Sequence, residues 1–182
     1  MKRLTYLFCL FFVLIFSSCL VYKQMTVTIM YAEDFKSGLI EVKYSDIASS
    51  DSTVKKQMGD FEDLIGMLED DVFLLDSVDD GIYIKDRRLY EQGKKLCGSY
   101  SGIFRKLKLD GENLKEKGEE RILQIDTDKD DVITSNGKIY QSDDNTFIIW
   151  PKEERKLTYT VTKTFKQPIF SLLSLYKSHS KN

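Results

Sequence analysis

Apolar and polar residues alternate along the chain directly after its apolar amino-terminal segment. Between Leu20 and Tyr31, one side of an extended chain would carry mainly valine, methionine and isoleucine, and the other glutamine and threonine. The alternation resumes from Leu39 to Asp46, after a turn-forming segment at residues 33–38. A period of two is typical of a half-buried strand, so the two segments predict a β-hairpin.

The period then changes to that of a helix. Apolar residues recur at steps of four and three over residues 51–70, which places them on one helical face. Asp51 or Ser52 can cap the first turn. We expect the apolar face to pack on the sheet; the alternative is a helix that lies on a membrane surface. The residues of this apolar face, which we call the apolar stripe, are Val54, Met58, Phe61, Ile65 and Leu68.

Most of the later chain has strand patterns. The clearest is at residues 156–165, where apolar side chains alternate with threonine. Residues 95–109 are also extended, and Gly98 and Gly102 within them predict bulges or close contact with a bulky neighbour. Residues 72–75 either continue the helix or begin a strand, and residues 81–84 have the pattern of a short strand. Further strands are predicted at 121–126, 132–140 and 146–150.

These elements predict one α+β domain over residues 19–166, followed by a short C-terminal tail at 167–182. The expected architecture is a curved, mainly antiparallel sheet packed against one long amphipathic helix. Removing residues 1–18 from 182 leaves 164, which is enough for one domain with its own core. The apolar part of the tail, residues 169–176, is too short to span a bilayer. It either docks on the domain or touches a membrane interface.

The first 18 residues have the three parts of a secretory signal peptide. Lys2 and Arg3 precede an apolar run of 13 residues that ends at Phe16, and two serines separate this run from Cys19. A spanning helix needs about 20 residues, so the pattern favours cleavage. The segment resembles the lipobox signal of bacterial lipoproteins, with Phe16 where that family usually has leucine. The alternative is an ordinary signal peptide that merely ends at a cysteine.

The resemblance implies that Cys19 is acylated and becomes the first residue of the mature chain. Two or more acyl chains anchor a protein stably, where one gives only marginal binding. Cys9 leaves with the signal, so Cys97 is the one remaining thiol and no intramolecular disulfide can form. Cys97 lies in a strand pattern, which favours a buried, inert thiol over a catalytic one.

Charge and histidine content exclude several functional classes. The chain has 27 basic and 29 acidic residues; the signal removes two basic ones, so the mature net charge is 25 − 29 = −4. This balance indicates no nucleic-acid partner. His179 is the only histidine and lies near the C terminus, which disfavours nucleophilic catalysis with a histidine base and a histidine-based zinc site. We expect no enzyme activity and no cofactor.

An acidic segment is a candidate calcium site. Asp126, Asp128 and Asp130 alternate as the first ligands of calcium loops do. Asp131 and Gly137, however, stand where an EF-hand requires glycine and glutamate. We therefore favour a solvated turn and predict no metal.

Four aromatic residues are candidates for ligand binding. Each combines flat apolar area with a polar tip and can therefore line a groove for lipid or sugar. The alternative is that they belong to the core, above all the tryptophan. They are Tyr83, Tyr100, Tyr140 and Trp150.

The order of these features resembles the LppM-like lipoproteins of unknown function. The shared features are the lipidated cysteine, the hairpin with its turn at residues 34–38, the amphipathic helix, the segment at 132–137, and the strand that ends at Trp150 before a threonine-rich strand. The resemblance implies an α+β fold with a curved antiparallel sheet. It also implies lipid or glycolipid binding.

The sequence thus predicts a membrane-anchored, non-enzymatic binding or assembly module of the cell envelope. No acidic residue follows Cys19 at 20–22, so we expect it in the outer membrane, facing the periplasm. The alternatives are a protein–protein assembly or adhesion component and a carboxylate-based hydrolase. A lipid carrier predicts an apolar cavity between the helix and the sheet. An assembly module predicts an exposed aromatic patch, and a hydrolase two facing acids in a polar cleft.

Overall fold

The computed structural model describes residues 19–69, 74, 78, 81–105, 107–109, 112–141 and 145–180. The predicted signal peptide, residues 1–18, lies outside the described residues. In chain order the elements are β1 (Leu20–Tyr31), β2 (Ser37–Ser49), α1 (Val54–Glu69), β3 (Ile82–Gln92), β4 (Lys95–Arg105), β5 (Lys108–Leu109), β6 (Glu112–Asn113), β7 (Lys115–Lys117), β8 (Glu120–Asp126), β9 (Val132–Ser135), β10 (Lys138–Gln141), β11 (Asn145–Pro151), β12 (Lys156–Thr162), β13 (Phe170–Ser171) and α2 (Leu173–His179).

Two antiparallel sheets form the body of the molecule. The main sheet has the strand order β3-β4-β2-β1-β12-β9, with β13 paired to the end of β2. The second sheet has the order β10-β11-β8-β7, and β5 and β6 form a separate small hairpin. The predicted first hairpin is confirmed, since β1 pairs with β2 from Leu20 opposite Ser49 to Tyr31 opposite Gly38.

The predicted fold class, an α+β curved sheet packed against one long amphipathic helix, is wrong. Strands make up 57% and helices 17% of the described structure, its two helices are short, and the sheets are not curled. The physical reason is that the second sheet covers much of the inner face of the main sheet. The predicted helix over 51–70 is present as α1, but it covers only the end of the main sheet where β1 begins. The later strand patterns were visible in sequence, but their division into two layers was not.

Apolar side chains from both sheets meet in what we call the inter-sheet core. Its members are Val27, Ile29, Ile40, Val42, Ile82, Phe104, Leu107, Leu123, Ile125, Ile148, Trp150, Leu157, Tyr159 and Val161. A smaller cluster, which we call the helix-end core, lies under the two helices. It consists of Ile47, Phe61, Leu64, Leu96 and Leu172.

A fully buried arginine joins the second sheet to the first hairpin. The Arg121 guanidinium lies 4.3 Å from the ring centre of Tyr31 and 5.0 Å from that of Phe35. Its Nε donates to Glu116 Oε1 at 3.2 Å, and its Nη1 to the Glu154 carbonyl oxygen at 2.9 Å. The hydrogen bonds from Lys152 and then Arg121 lower the pKa of Glu116. This ion pair between buried Arg121 and exposed Glu116 lies at the end of the domain farthest from α1.

The glycine prediction for β4 is confirmed. A Cβ at Gly102 would lie 2.6 Å from the Tyr83 carbonyl oxygen, and the β3–β4 register shifts beside it, between Ile84 and Asp86. Only glycine permits this close approach of two backbones.

The C-terminal tail packs on the domain at the α1 end. Phe170 pairs with Ser49, Leu172 is fully buried in the helix-end core, and the Tyr176 hydroxyl donates to the Leu89 carbonyl oxygen at 3.1 Å. Within the described ranges, neither helix is long and apolar enough to cross a membrane.

Candidate functional site

A groove of about 320 Å³ lies between α1 and the inner face of the main sheet. We call it the α1 groove. One wall is formed by three residues of α1, namely Leu64, Met67 and Leu68, and nearly all of the remaining lining is also apolar. Its volume lies within the range of about 300–1,000 Å³ that is usual for small-molecule sites. The sheet contributes Leu20, Val21, Tyr22, Tyr44, Ile47, Arg87, Arg88, Leu89, Gly98, Ser99 and Tyr100.

Two local backbone features shape this groove. Strict strand alternation would put Tyr44 and Ile47 on opposite faces. Asp46 between them has φ of 62°, in the left-handed region, and both side chains line the groove. At Gly98, a Cβ would lie 3.1 Å from Ile47 Cδ1 and 3.2 Å from Leu89 Cδ2. Because Gly98 has no side chain, the space between Ile47 and Leu89 remains part of the groove.

Two neighbouring arginines of β3 lie on opposite faces of the sheet. Arg87 Nη1 donates to the Met67 carbonyl oxygen at 2.9 Å and so ties β3 to the last turn of α1 at the edge of the groove. Arg88 Nε donates to Ser99 Oγ at 3.4 Å, and its exposed guanidinium lies 5.6 Å from the ring centre of Tyr90, on the outer face. Guanidinium groups match the geometry of carboxylates and phosphates. The groove thus combines an apolar interior with one guanidinium, that of Arg87, at its edge.

The groove begins one residue after the predicted lipidation site. Leu20 lines it, and the Cys19 backbone nitrogen donates to Asp60 Oδ1 of α1 at 2.8 Å. The Cys19 carbonyl oxygen accepts from the Ser50 nitrogen, also at 2.8 Å. Cys19 is therefore held against both α1 and β2. Asp60 is only 3% exposed, although the sequence pattern placed it off the apolar face of the helix.

The four aromatic candidates are not brought together. Tyr100 lines the α1 groove, whereas Tyr83 on β3 and Tyr140 on β10 are exposed. Trp150 is fully buried in the inter-sheet core, and its indole nitrogen donates to Asn136 Oδ1 at 2.8 Å. Tyr100 is thus the one predicted aromatic residue that lies in the candidate site.

The acidic candidates lie in an exposed turn between β8 and β9. Asp126, Asp128 and Asp130 are exposed, and Lys166 Nζ lies 3.7 Å from Asp130 Oδ2. The Asp128 nitrogen donates to Asp131 Oδ2 at 3.2 Å, which closes the turn on itself. In the part of the chain that the structure describes, no three acidic, histidine or cysteine side chains are grouped to hold a metal.

Cys97 and the histidine both lie in packed surroundings. Cys97 is buried, as its strand pattern indicated, and its Sγ lies 3.9 Å from Ser45 Oγ. The His179 ring packs edge-on against Phe61, with ring centres 5.8 Å apart. Both contacts fit packing roles.

An apolar row crosses the outer face of the main sheet at the end farthest from α1. Its members are in register on four neighbouring strands, and all are exposed. They are Met30, Leu39, Ile103 and Tyr83. Such rows occur in protein interfaces, so this is the surface to which the assembly alternative points.

Comparison of the chain with protein-family models, with curated proteins and with solved structures finds no match. The features of the molecule that bear on its function are the α1 groove, Arg87 and the position of Cys19.

Proposed function

We propose that this chain is a membrane-anchored lipoprotein whose domain binds the acyl chain of an anionic amphiphile in the α1 groove. The observation that carries the proposal is the groove itself, an apolar channel with the Arg87 guanidinium at its edge. An acyl chain fits the apolar lining, and a carboxylate or phosphate headgroup fits the guanidinium group. The domain would act as a binding module of the cell envelope, without chemistry of its own and without a cofactor.

The energetics favour a ligand with a long apolar tail. Each methylene group that leaves water contributes about 0.8 kcal/mol. Burying about eight of them contributes about 6 kcal/mol before the entropy cost of binding is subtracted. A charge-assisted hydrogen bond to an arginine adds selectivity for an anionic headgroup.

The predicted acylation of Cys19 would place the groove beside its ligand. A tether that holds a site next to a membrane raises the effective concentration of every lipid in that membrane. Because Leu20 already lines the groove, no flexible linker separates site and anchor. We propose the outer membrane, facing the periplasm, as the location.

Sugar binding has less support than lipid binding. A polar depression of about 380 Å³ lies among Gln24, Lys43, Ser45, Lys95 and neighbouring residues. Its two lysines are paired with acids, Lys43 with Glu41 at 2.9 Å and Lys95 with Asp46 at 3.6 Å. We therefore favour recognition of the acyl chain over recognition of a sugar headgroup.

The test is native mass spectrometry of the full-length chain, produced in a Gram-negative host and extracted from its membranes in mild detergent. We expect the mass of a chain that begins at Cys19 and carries covalent acyl groups. We also expect a second species with one additional lipid bound non-covalently.

A matched pair of variants separates groove binding from general adhesion of lipid. Met67 of α1 and Met30 of β1 are 45% and 39% exposed, but only Met67 lines the groove. Met67→Asp places a charge against the acyl chain, which is unfavourable by several kcal/mol, and should reduce lipid retention by about tenfold or more. Met30→Asp should retain lipid like the unmodified chain.

The proposal has two parts, the acyl anchor on Cys19 and lipid binding in the α1 groove, and each can fail separately. A processed chain without covalent acyl mass would contradict the anchor. Acylated protein with no retained lipid, or equal retention in both variants, would contradict the groove and direct attention to a protein partner for the row formed by Met30, Leu39, Ile103 and Tyr83.

A further inference from the structure

The exposed surface of α1 changes in character along the helix. Its first two turns expose Lys55 and Lys56, whereas the exposed charges farther along are Glu62, Asp63 and Glu69. The first turns also expose two apolar side chains, Val54 at 69% and Met58 at 48%. These two belong to the predicted apolar stripe, yet the sheet does not cover them. The beginning of α1 therefore presents two cations and two apolar groups to its surroundings.

This surface lies beside the predicted anchor. Asp60 accepts the hydrogen bond from the Cys19 nitrogen, and Val54 is six residues earlier, about 9 Å along the helix axis. Ser50, whose backbone nitrogen donates to the Cys19 carbonyl oxygen, lies four residues before the first residue of α1. The position of α1 relative to Cys19 is thus fixed by hydrogen bonds on both sides of the residue.

We infer that Val54, Lys55, Lys56 and Met58 form a contact surface for a bilayer that contains anionic lipids. The inference rests on the anchoring half of the proposed function, because acyl chains on Cys19 would bring a bilayer to this surface. Lysines next to a membrane are attracted to anionic headgroups, and exposed apolar side chains of an interfacial helix enter the boundary between headgroups and acyl chains. Asp60 acts as a positioning residue that holds this surface at the anchor.

The inference has a consequence for the orientation of the domain. Contact through both Cys19 and the start of α1 would hold the domain in one orientation on the membrane rather than on a mobile stalk. The opposite end of β1 would then point away from the bilayer. Met30, which pairs with Leu39, is ten residues after Leu20, a separation of about 33 Å along a strand.

Tryptophan fluorescence offers a direct test, because the one native tryptophan, Trp150, is fully buried. The full-length chain carrying Met58→Trp is extracted from membranes and reconstituted in vesicles of phosphatidylglycerol and brominated phosphatidylcholine. Leu39→Trp is the matched control, since Leu39 is 51% exposed at the distant end. We expect bromine to quench the tryptophan at position 58 roughly threefold more strongly than the one at position 39, since quenching requires contact with the acyl region.

A charge variant tests the role of the lysines. In the Met58→Trp background, Lys55→Glu combined with Lys56→Glu should remove most of the additional quenching in anionic vesicles, because the attraction to the headgroups is reversed. In vesicles of phosphatidylcholine alone, the two lysine substitutions should change the quenching of the tryptophan at position 58 very little.

The outcomes separate this inference from the proposed function. Equal quenching at positions 58 and 39 would overturn the contact surface, whatever the mass spectrum shows of the groove. If the purified protein carries no acyl groups, the anchor has failed, and the same variants are added to preformed vesicles instead. Preferential quenching at position 58 there would support the surface without the anchor, and its absence would overturn it.

Discussion

The two apolar cores of this domain are covered in different ways, and the difference explains where the groove lies. The inter-sheet core is enclosed by two sheets and contains many fully buried side chains, among them Leu123, Ile148, Trp150 and Leu157. The helix-end core is covered mainly by α1 and α2 and borders a groove of about 320 Å³. One core is closed, and the other is open to a ligand.

The geometry of the covering elements accounts for this difference. The axes of the four strands β3, β4, β2 and β1 span about 14 Å, since neighbouring strands lie about 4.8 Å apart. One helix with its side chains is about 10 Å wide. A second sheet can match the width of the first, but α1 leaves part of these strands uncovered even though α2 also packs at this end. We therefore regard the groove as a consequence of how this end of the sheet is covered.

The largest expected effect comes from truncating a matched leucine in each core. Leucine-to-alanine changes in cores cost about 2–5 kcal/mol, depending on the cavity that is left. Leu123→Ala should lie near the top of this range, because a closed cavity remains in the inter-sheet core. Leu64→Ala should lie near the bottom, because it enlarges a groove that is already open. Urea unfolding followed by circular dichroism measures both, and equal losses would contradict the comparison.

The two glycines of β4 sharpen the contrast. Gly102→Ala places a Cβ against the backbone of Tyr83 and should cost about 1–3 kcal/mol through overpacking. Gly98→Ala meets only the ends of the Ile47 and Leu89 side chains, so it should cost less and should reduce lipid retention. Unfolding curves and native mass spectra of the two variants test this, and a larger loss of stability for Gly98→Ala would refute it.

A third variant concerns the cationic edge of the groove. Arg87→Gln removes the guanidinium at the edge of the groove without changing the apolar lining. We expect retention of lipids with an anionic headgroup to fall severalfold, about 1 kcal/mol, while retention of zwitterionic lipids stays the same. Competition between the two lipid classes in native mass spectra measures this, and an equal loss for both classes would argue against headgroup selection.

The smallest effect is expected at the far end of the domain, at Glu116. Its hydrogen bonds from Lys152 and Arg121 lower its pKa below the ordinary value of 4.5. These contacts therefore stabilise the fold above about pH 4.5, and the contribution is lost as the pH falls through the lower folded pKa. Because Glu116 is largely exposed, Glu116→Gln should reduce stability by under about 1 kcal/mol at pH 7. The difference should shrink as the pH falls below 4.5 and through the lowered pKa of folded Glu116, and a difference that stays constant as the pH falls would contradict it.

Local pattern predicted local structure well in this chain. Alternation predicted the pairing of β1 with β2, and the three-and-four spacing predicted α1. Gly98 and Gly102 indicated close contacts because a glycine within a strand gives up packing for space. Each of these inferences depends either on residues that are near one another in sequence or on a property of a single residue.

The features that sequence did not predict depend on distant parts of the chain. Alternating strands do not reveal which faces pair, so the second sheet and the burial of Arg121 were missed. The groove depends on the positive φ of Asp46 and on the width of one helix relative to four strands. Asp60 is buried by contact with Cys19, 41 residues earlier. The only sequence feature that indicated this burial was its position four residues before Leu64.

The most direct test of the central claim is photolabelling of the full-length, membrane-extracted protein with a fatty acid that carries a diazirine near the end of its acyl chain. Irradiation, digestion and mass spectrometry locate the crosslinks. We predict crosslinks in the last turns of α1, around Met67, and on β3 and β4, around Leu89 and Tyr100, with strong reduction in Met67→Asp. Crosslinks concentrated instead at Leu39, Ile103 and Tyr83, or unchanged in Met67→Asp, would contradict acyl-chain binding in the α1 groove.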